Sequence, residues 1–225
     1  MSVKTHPEPE IEVLEKAKGF WEKNSKSIMY VSVAVILLIG GYLGYKYLVQ
    51  IPNETKAQEE IFMAELNFRK DSVNLALNGT ATTPGFLKVI KKYGSTKTGN
   101  LAKLYAGECY LLLDDYKNAA KYLEDFNAGG AKQIEAKVEG MLGDAYSEMK
   151  QNDKAIDHYK KSASVFPEDA NMASEYLFRA GLLLEMSGKN KEAIEVYKEL
   201  KEKFPRTEKG FGVDKYLARL GETKS

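Results

Sequence analysis

Apolar and polar positions fall into two regimes along this chain. From Ile28 to Tyr45 (IMYVSVAVILLIGGYLGY) the run is uncharged, and Val31, Val33, Val35, Ile36, Leu37, Leu38, Ile39 and Leu43 carry most of its apolar surface. As a helix rising about 1.5 Å per residue, it spans roughly 27 Å, the thickness of bilayer hydrocarbon. After Gln50, apolar residues instead recur every three or four positions among charged ones, which predicts amphipathic helices. Upstream, Ile11, Leu14, Ala17 and Trp21, with Val13 and Phe20 beside them, predict a further amphipathic helix from Glu10, and the polar residues 1–9 are expected to be disordered.

The flanks of the apolar run refine this. Lys46 can lay its stem along lipid and reach the headgroups, and Tyr42, Tyr45 and Tyr47 form an aromatic belt at the same end. Lys16, Lys18, Lys23 and Lys26 precede the run, against Lys46 and Lys56 after it, so the N-terminus is expected in the cytoplasm. The leader is long for a signal-peptide n-region, and no A-x-A-like site follows, which points to an uncleaved signal anchor. No lipobox-like cysteine offers a lipid anchor. The leader helix can lie in the inner headgroup layer, dock on a cytoplasmic partner, or remain a solvated extension. Gly40 and Gly44, with Gly41, allow a second membrane helix to approach closely.

The soluble part repeats itself. Gly107, Gly143 and Gly181 are spaced 36 and 38 apart, and Ala119, Ala155 and Ala193 keep the same spacings. So do Tyr110, Tyr146 and Leu184, and Leu123, Tyr159 and Tyr197. Each copy reads helix, short polar turn, helix. The glycine and alanine let the two helices approach, and the larger residue fills the space between them. Phe166-Pro167 and Phe204-Pro205 close two copies.

This pattern resembles the tetratricopeptide repeat over residues 99–206, with extra residues at the junctions Asn127–Lys132 and Pro167–Asn171. Lys56–Leu77 and Pro84–Tyr93, joined by a loop at Asn78–Thr83, read as a degenerate first repeat, and Glu208–Leu220 as a single capping helix. The expected organisation is a leader at 1–27, an anchor at 28–49, a linker and degenerate repeat at 50–98, three repeats at 99–206, and a cap and tail at 207–225. The fold class is all-α: one transmembrane helix followed by an α-solenoid, about eleven helices in all. Pro52 is expected to break the chain between the two.

In such arrays the first helices line a concave face. The resemblance places Leu101, Leu104, Glu108 and Leu111 there in the first copy, Lys137, Gly140, Asp144 and Ser147 in the second, and Glu175, Phe178, Leu182 and Glu185 in the third. The basic and amide residues that clamp a chaperone's C-terminal carboxylate are missing from these positions. Leu101, Leu104, Leu111, Phe178 and Leu182 make the face apolar. Either it binds an apolar segment of another protein, or flanking helices fold back over it.

Charge and reactive residues add exclusions. Lys plus Arg and Asp plus Glu balance at 27 each after Gln50, so neither a nucleic-acid footprint nor an acidic-ligand surface follows from the total. Cys109, the single cysteine, is expected to be packed, and His158 to be a surface residue. No Walker loop, nucleophile elbow, dinucleotide fingerprint or metal-ligand spacing occurs, so no enzyme, cofactor or metal is expected. Asn53-Glu-Thr55, Asn78-Gly-Thr80 and Asp71-Ser72-Val73 match short glycosylation acceptors.

A short leader, a glycine-bearing anchor ending in GYLGYKYL and a compact repeat domain beyond it are together similar in layout to the YfgM family of bacterial inner-membrane proteins. That resemblance implies a periplasmic repeat domain and a non-enzymatic accessory role at the Sec translocon. It implies hetero-oligomeric partners, namely Sec subunits and a PpiD-type periplasmic chaperone. A scaffold for envelope or outer-membrane protein assembly, or for division, is the alternative. A cytosol-facing organelle import receptor is a third possibility, which the lysine bias opposes.

Overall fold

The computed structural model describes residues 9–222, so most of the leader expected to be disordered lies outside the described residues. The chain divides into two compact units, 1–53 and 54–225.

In the first unit, α1 runs unbroken over Pro9–Tyr45. Leader and anchor are thus one helix rather than two elements. Nothing between Trp21 and Ile28 breaks a helix: Asn24, the weakest former there, turns its amide onto the Phe20 carbonyl at 2.8 Å. No residue of the apolar stretch is buried, and Leu37 and Leu38 are 70% and 73% exposed. An apolar helix left bare in this way requires lipid or another helix as solvent. After α1 the backbone widens over Lys46–Gln50, where the Ile51 N–H donates to the Lys46 carbonyl five residues back. Pro52 then lies in the first turn of α2 (Ile51–Arg69). The expected break at Pro52 is therefore a π turn. Proline lacks an N–H and crowds the carbonyl four residues earlier, and one widened turn accommodates both effects while the backbone stays helical.

The second unit is a stack of helices. α2 buries Ala57, Ile61 and Ala64. The single helix expected over Lys56–Leu77 is divided by a turn in which Asp71 adopts φ 55°, giving a short α3 (Val73–Asn78). A loop pinned by the Thr80 N–H to the Thr83 carbonyl leads into α4 (Phe86–Tyr93). Phe68, Phe86 and Tyr105 meet there, with Phe86 stacked on Tyr105 at 5.0 Å. α5 (Lys97–Leu112) faces two ways. Ala102, Ala106 and Cys109 pack toward α2–α4, and Leu104 packs toward the following repeats. Burial in this seam pushes the Cys109 thiol up to about 12, so it is an inert packing group.

Three helix pairs follow: α5 with α6 (Tyr116–Glu124), α7 (Lys132–Glu148) with α8 (Asn152–Val165), and α9 (Ala170–Met186) with α10 (Asn190–Lys203). Glycine spacing explains how each pair closes. A Cβ on Gly143 would lie 2.4 Å from the Tyr159 ring, and one on Gly181 2.3 Å from Tyr197. Gly107 meets Leu123 in the same way, at 2.6 Å. Each intra-pair turn places one residue in the left-handed region, namely Asp114, Lys150 and Gly188 at φ 58°, 61° and 75°. The next amide then bonds back to Tyr110, Tyr146 or Leu184, closing the helix end. At the junctions, Thr96, Asp169 and Thr207 cap α5, α9 and the next helix by accepting from Gly99, Met172 and Gly210.

The expected single cap is two short helices, α11 (Glu208–Gly212) and α12 (Asp214–Arg219), with Val213 fully buried between them. Among the described residues there are twelve α-helices and no strand.

Candidate interaction surface

The charged residues expected to face a partner from α5, α7 and α9 form a ladder of ion pairs. Glu108 on α5 takes Lys137 of α7 at 2.6 Å. Asp144 on α7 takes Arg179 of α9 at 2.6 Å and also accepts from the Tyr159 hydroxyl at 2.8 Å. Glu175 pairs with Arg179 at 2.8 Å and with Lys209 of α11 at 3.2 Å. Glu185 pairs with Arg219 of α12 at 2.8 Å. The charges expected to face a partner are thus largely neutralised by the next helix. For Glu175, burial alone would raise the carboxyl, but the bonds from Arg179 and Lys209 outweigh it and hold it below the ordinary value.

The apolar positions divide. Leu101 is 36% exposed, while Leu111 and Leu182 are half-buried. Leu104 and Phe178, expected to line an open groove, are buried at 7% each. Phe178 is covered because Tyr216 of α12 stands edge-on at 4.9 Å and the Lys209 ammonium sits 5.1 Å from its ring centre. Leu104 is covered because it belongs to the core shared with Val138 and Met141. Of the two alternatives for this face, the C-terminal helices fold back over it at Phe178. Gly140 is filled by the Tyr176 ring, and Ser147 is half-buried. In the first unit, Gly40, Gly41 and Gly44 have open space where a Cβ would stand.

His158, expected at the surface, is half-buried. Its Nδ1 lies 2.7 Å from the buried Glu139 carboxylate, and its ring stacks on Tyr146 at 5.3 Å. Lys161 holds the other Glu139 oxygen at 2.8 Å. Burial acts to raise the Glu139 carboxyl, and the hydrogen bonds from His158 and Lys161 reverse this, leaving it below the ordinary carboxylate value. The Tyr146 hydroxyl donates to Glu124, and this bond, helped by burial, pushes it up to about 12. Glu124, Glu139, His158 and Lys161 line a cleft of about 570 Å³ together with Leu123, Val138, Leu142 and the long junction 125–130. Reciprocal bonds between Asn100 and Asn127, at 2.8 and 3.0 Å, fasten that junction to α5. Helical periodicity gave no sign of this cluster because its members come from three helices and a loop. The four-residue spacing of Glu135 and Glu139 on one helix and the polar His158 among buried neighbours were the available signals. Among the described residues, no group of three or more His, Cys, Asp or Glu side chains is placed to hold a metal ion.

The arrangement offers side-chain recognition through hydrogen bonds and ion pairs. Solved structures share the fold. YrrB, described as a TPR protein with an unusual peptide-binding site, has a TM-score of 0.52 at 19% identity, covering 78% of this chain and 79% of that one. A putative kinesin light chain of Podosopora anserina with nearly identical TPR-like repeats has a TM-score of 0.55 at 13% identity, covering 74% and 86%. MamA has a TM-score of 0.51 at 16% identity, covering 76% and 88%. No curated protein matches in sequence. A family model for the tetratricopeptide repeat-like domain matches residues 18–213, taking in the apolar helix and α2–α4 as well as the three clear repeats. With most of its length so matched, and the helix pairs closing on glycine as described, the chain belongs to the tetratricopeptide repeat-like domain family.

Proposed function

We propose that this protein is a non-enzymatic, membrane-anchored adaptor. The observation that carries the proposal is the apolar stretch of α1, none of whose residues is buried, on the same chain as a tetratricopeptide repeat-like fold. Lipid takes the apolar surface, Gly40, Gly41 and Gly44 admit a neighbouring membrane helix, and the repeats engage a protein partner. The ion-pair ladder leaves few free charges on α5, α7 and α9. That favours partners read by apolar and hydrogen-bonding contacts, at Leu101, Leu111 and Leu182, over a charged terminus.

The layout similar to the YfgM family extends this to a finer reading: an accessory subunit of the Sec translocon in the bacterial inner membrane. Its N-terminus is cytoplasmic, and its periplasmic repeats hold a PpiD-type chaperone near emerging chains. YrrB's description as a peptide binder supports a segment of extended or helical polypeptide as the contact. Co-purification in mild detergent tests it. Sec subunits and a membrane-anchored chaperone should accompany the full chain, and their absence from a pull-down that retains the protein intact would refute it.

A further inference from the structure

Charge is not evenly spread over the second unit. From Ser72 to Gly107 there is no Asp or Glu, yet Lys88, Lys91, Lys92, Lys97 and Lys103 all fall there. Since the residues after Gln50 balance at 27 of each sign, the rest of that stretch is acidic by five charges. The basic segment forms α3, α4 and the start of α5. On α4, Phe86, Val89 and Tyr93 are buried, which turns Lys88, Lys91 and Lys92 outward. Two of the five lysines are spent internally, Lys92 on Glu60 at 2.9 Å and Lys103 on Asp125 at 2.8 Å. Lys88, Lys91 and Lys97 are exposed and have no ion pair among the described residues.

Nearby carboxylates are already committed. Glu60 accepts from Lys92 and from the Tyr93 hydroxyl. Glu54 takes the backbone N–H groups of Lys97 and Thr98 at 2.7 and 3.1 Å and the Thr98 hydroxyl at 2.6 Å. Glu59, on the same helix as Glu54 and Glu60, is exposed. The Glu54 bonds tie the start of α5, and with it Lys97, to the first turns of α2. Three residues separate Gln50 from Glu54, a contour of at most about 14 Å. Lys97 is bonded to Glu54 directly, and a lysine stem adds roughly 6 Å of reach.

We propose that Lys88, Lys91 and Lys97 form a contact face for the anionic phospholipid headgroups of the bilayer that holds the anchor. This rests on the anchored reading of α1. The complementarity is of charge, and at most about 14 Å of chain lies between Gln50 and the Glu54 that binds the Lys97 amide. Lipid composition would thereby set how the repeat domain is held at the membrane.

The test uses the full chain in nanodiscs of phosphatidylcholine alone or with about 30% phosphatidylglycerol, comparing acylation rates of individual lysines by mass spectrometry. Modification of Lys88, Lys91 and Lys97 should slow about three- to fivefold in the anionic discs, and raised salt should abolish the difference. Lys191, exposed at the start of α10, should react alike in both. Equal rates at the three lysines in both lipids would overturn the proposal and leave an acidic protein as the partner for this face. The two readings fail separately. A chain that does not enter neutral discs at all refutes the anchor, whereas one that enters both kinds with unchanged lysine reactivity refutes only the lipid-contact face.

Discussion

At the residue scale the helix pairs are set by a few positions where no other side chain fits. Gly181→Ala places a methyl 2.3 Å from the Tyr197 ring, and Tyr197 is fully buried, so the ring cannot swing away. A cost of about 1–3 kcal/mol is expected in urea denaturation, with secondary structure retained. The left-handed positions give the opposite prediction. Lys150 sits at φ 61° where the third repeat has Gly188 at φ 75°. Lys150→Gly should therefore stabilise by about 1 kcal/mol, raising Tm by a few degrees. Glu139 supplies a pH dependence. Its carboxyl is held below the ordinary 4.5 by His158 and Lys161, so the folded state binds a proton there less readily than the unfolded chain. The stabilisation is present above about pH 4.5 and is lost as pH falls through the folded value. Glu139→Gln should cost about 2 kcal/mol at pH 7, and the gap to the parent should shrink below about pH 4 in paired denaturation curves. The repeated glycines and aromatics were legible in the sequence because their spacing is the packing. The Glu139–His158 pair was not, because it joins residues 19 apart on facing helices and leaves no periodic trace.

At the element scale, helix existence was readable and helix division was not. The pattern Ala57, Ile61, Ala64 and Phe68 predicted one helix to Leu77, but Asp71 enters the left-handed region and starts α3. Aspartate tolerates that conformation better than most residues, yet it is also unremarkable within a helix, so the sequence carries no stop. Conversely, Pro52 is a strong breaker on paper, and the backbone absorbs it in a π turn. The cap likewise breaks at Val213 into α11 and α12, and this pair covers Phe178. Tyr216→Ala should remove that cover, destabilising the domain by about 2 kcal/mol and raising binding of an apolar dye. Unchanged stability and dye binding would show that α12 contributes nothing to the closed face.

At the scale of the whole molecule, each unit has its own solvent. The repeat unit buries its apolar faces by stacking, in two clusters joined through α5. The apolar stretch of α1 does not do so, because none of its residues is buried. An uncharged run of bilayer length was plain in the sequence, and the leader as a helical extension of the anchor was one of the readings left open, which α1 adopts over Pro9–Tyr45. The adaptor account depends on that stretch being in lipid. Membranes containing the full chain, washed with alkaline carbonate and floated on a density gradient, test this most directly. The account predicts that the protein stays with the lipid fraction, and that replacing Val35 and Leu38 with Arg releases it. Recovery of the unaltered protein in the wash would contradict the account.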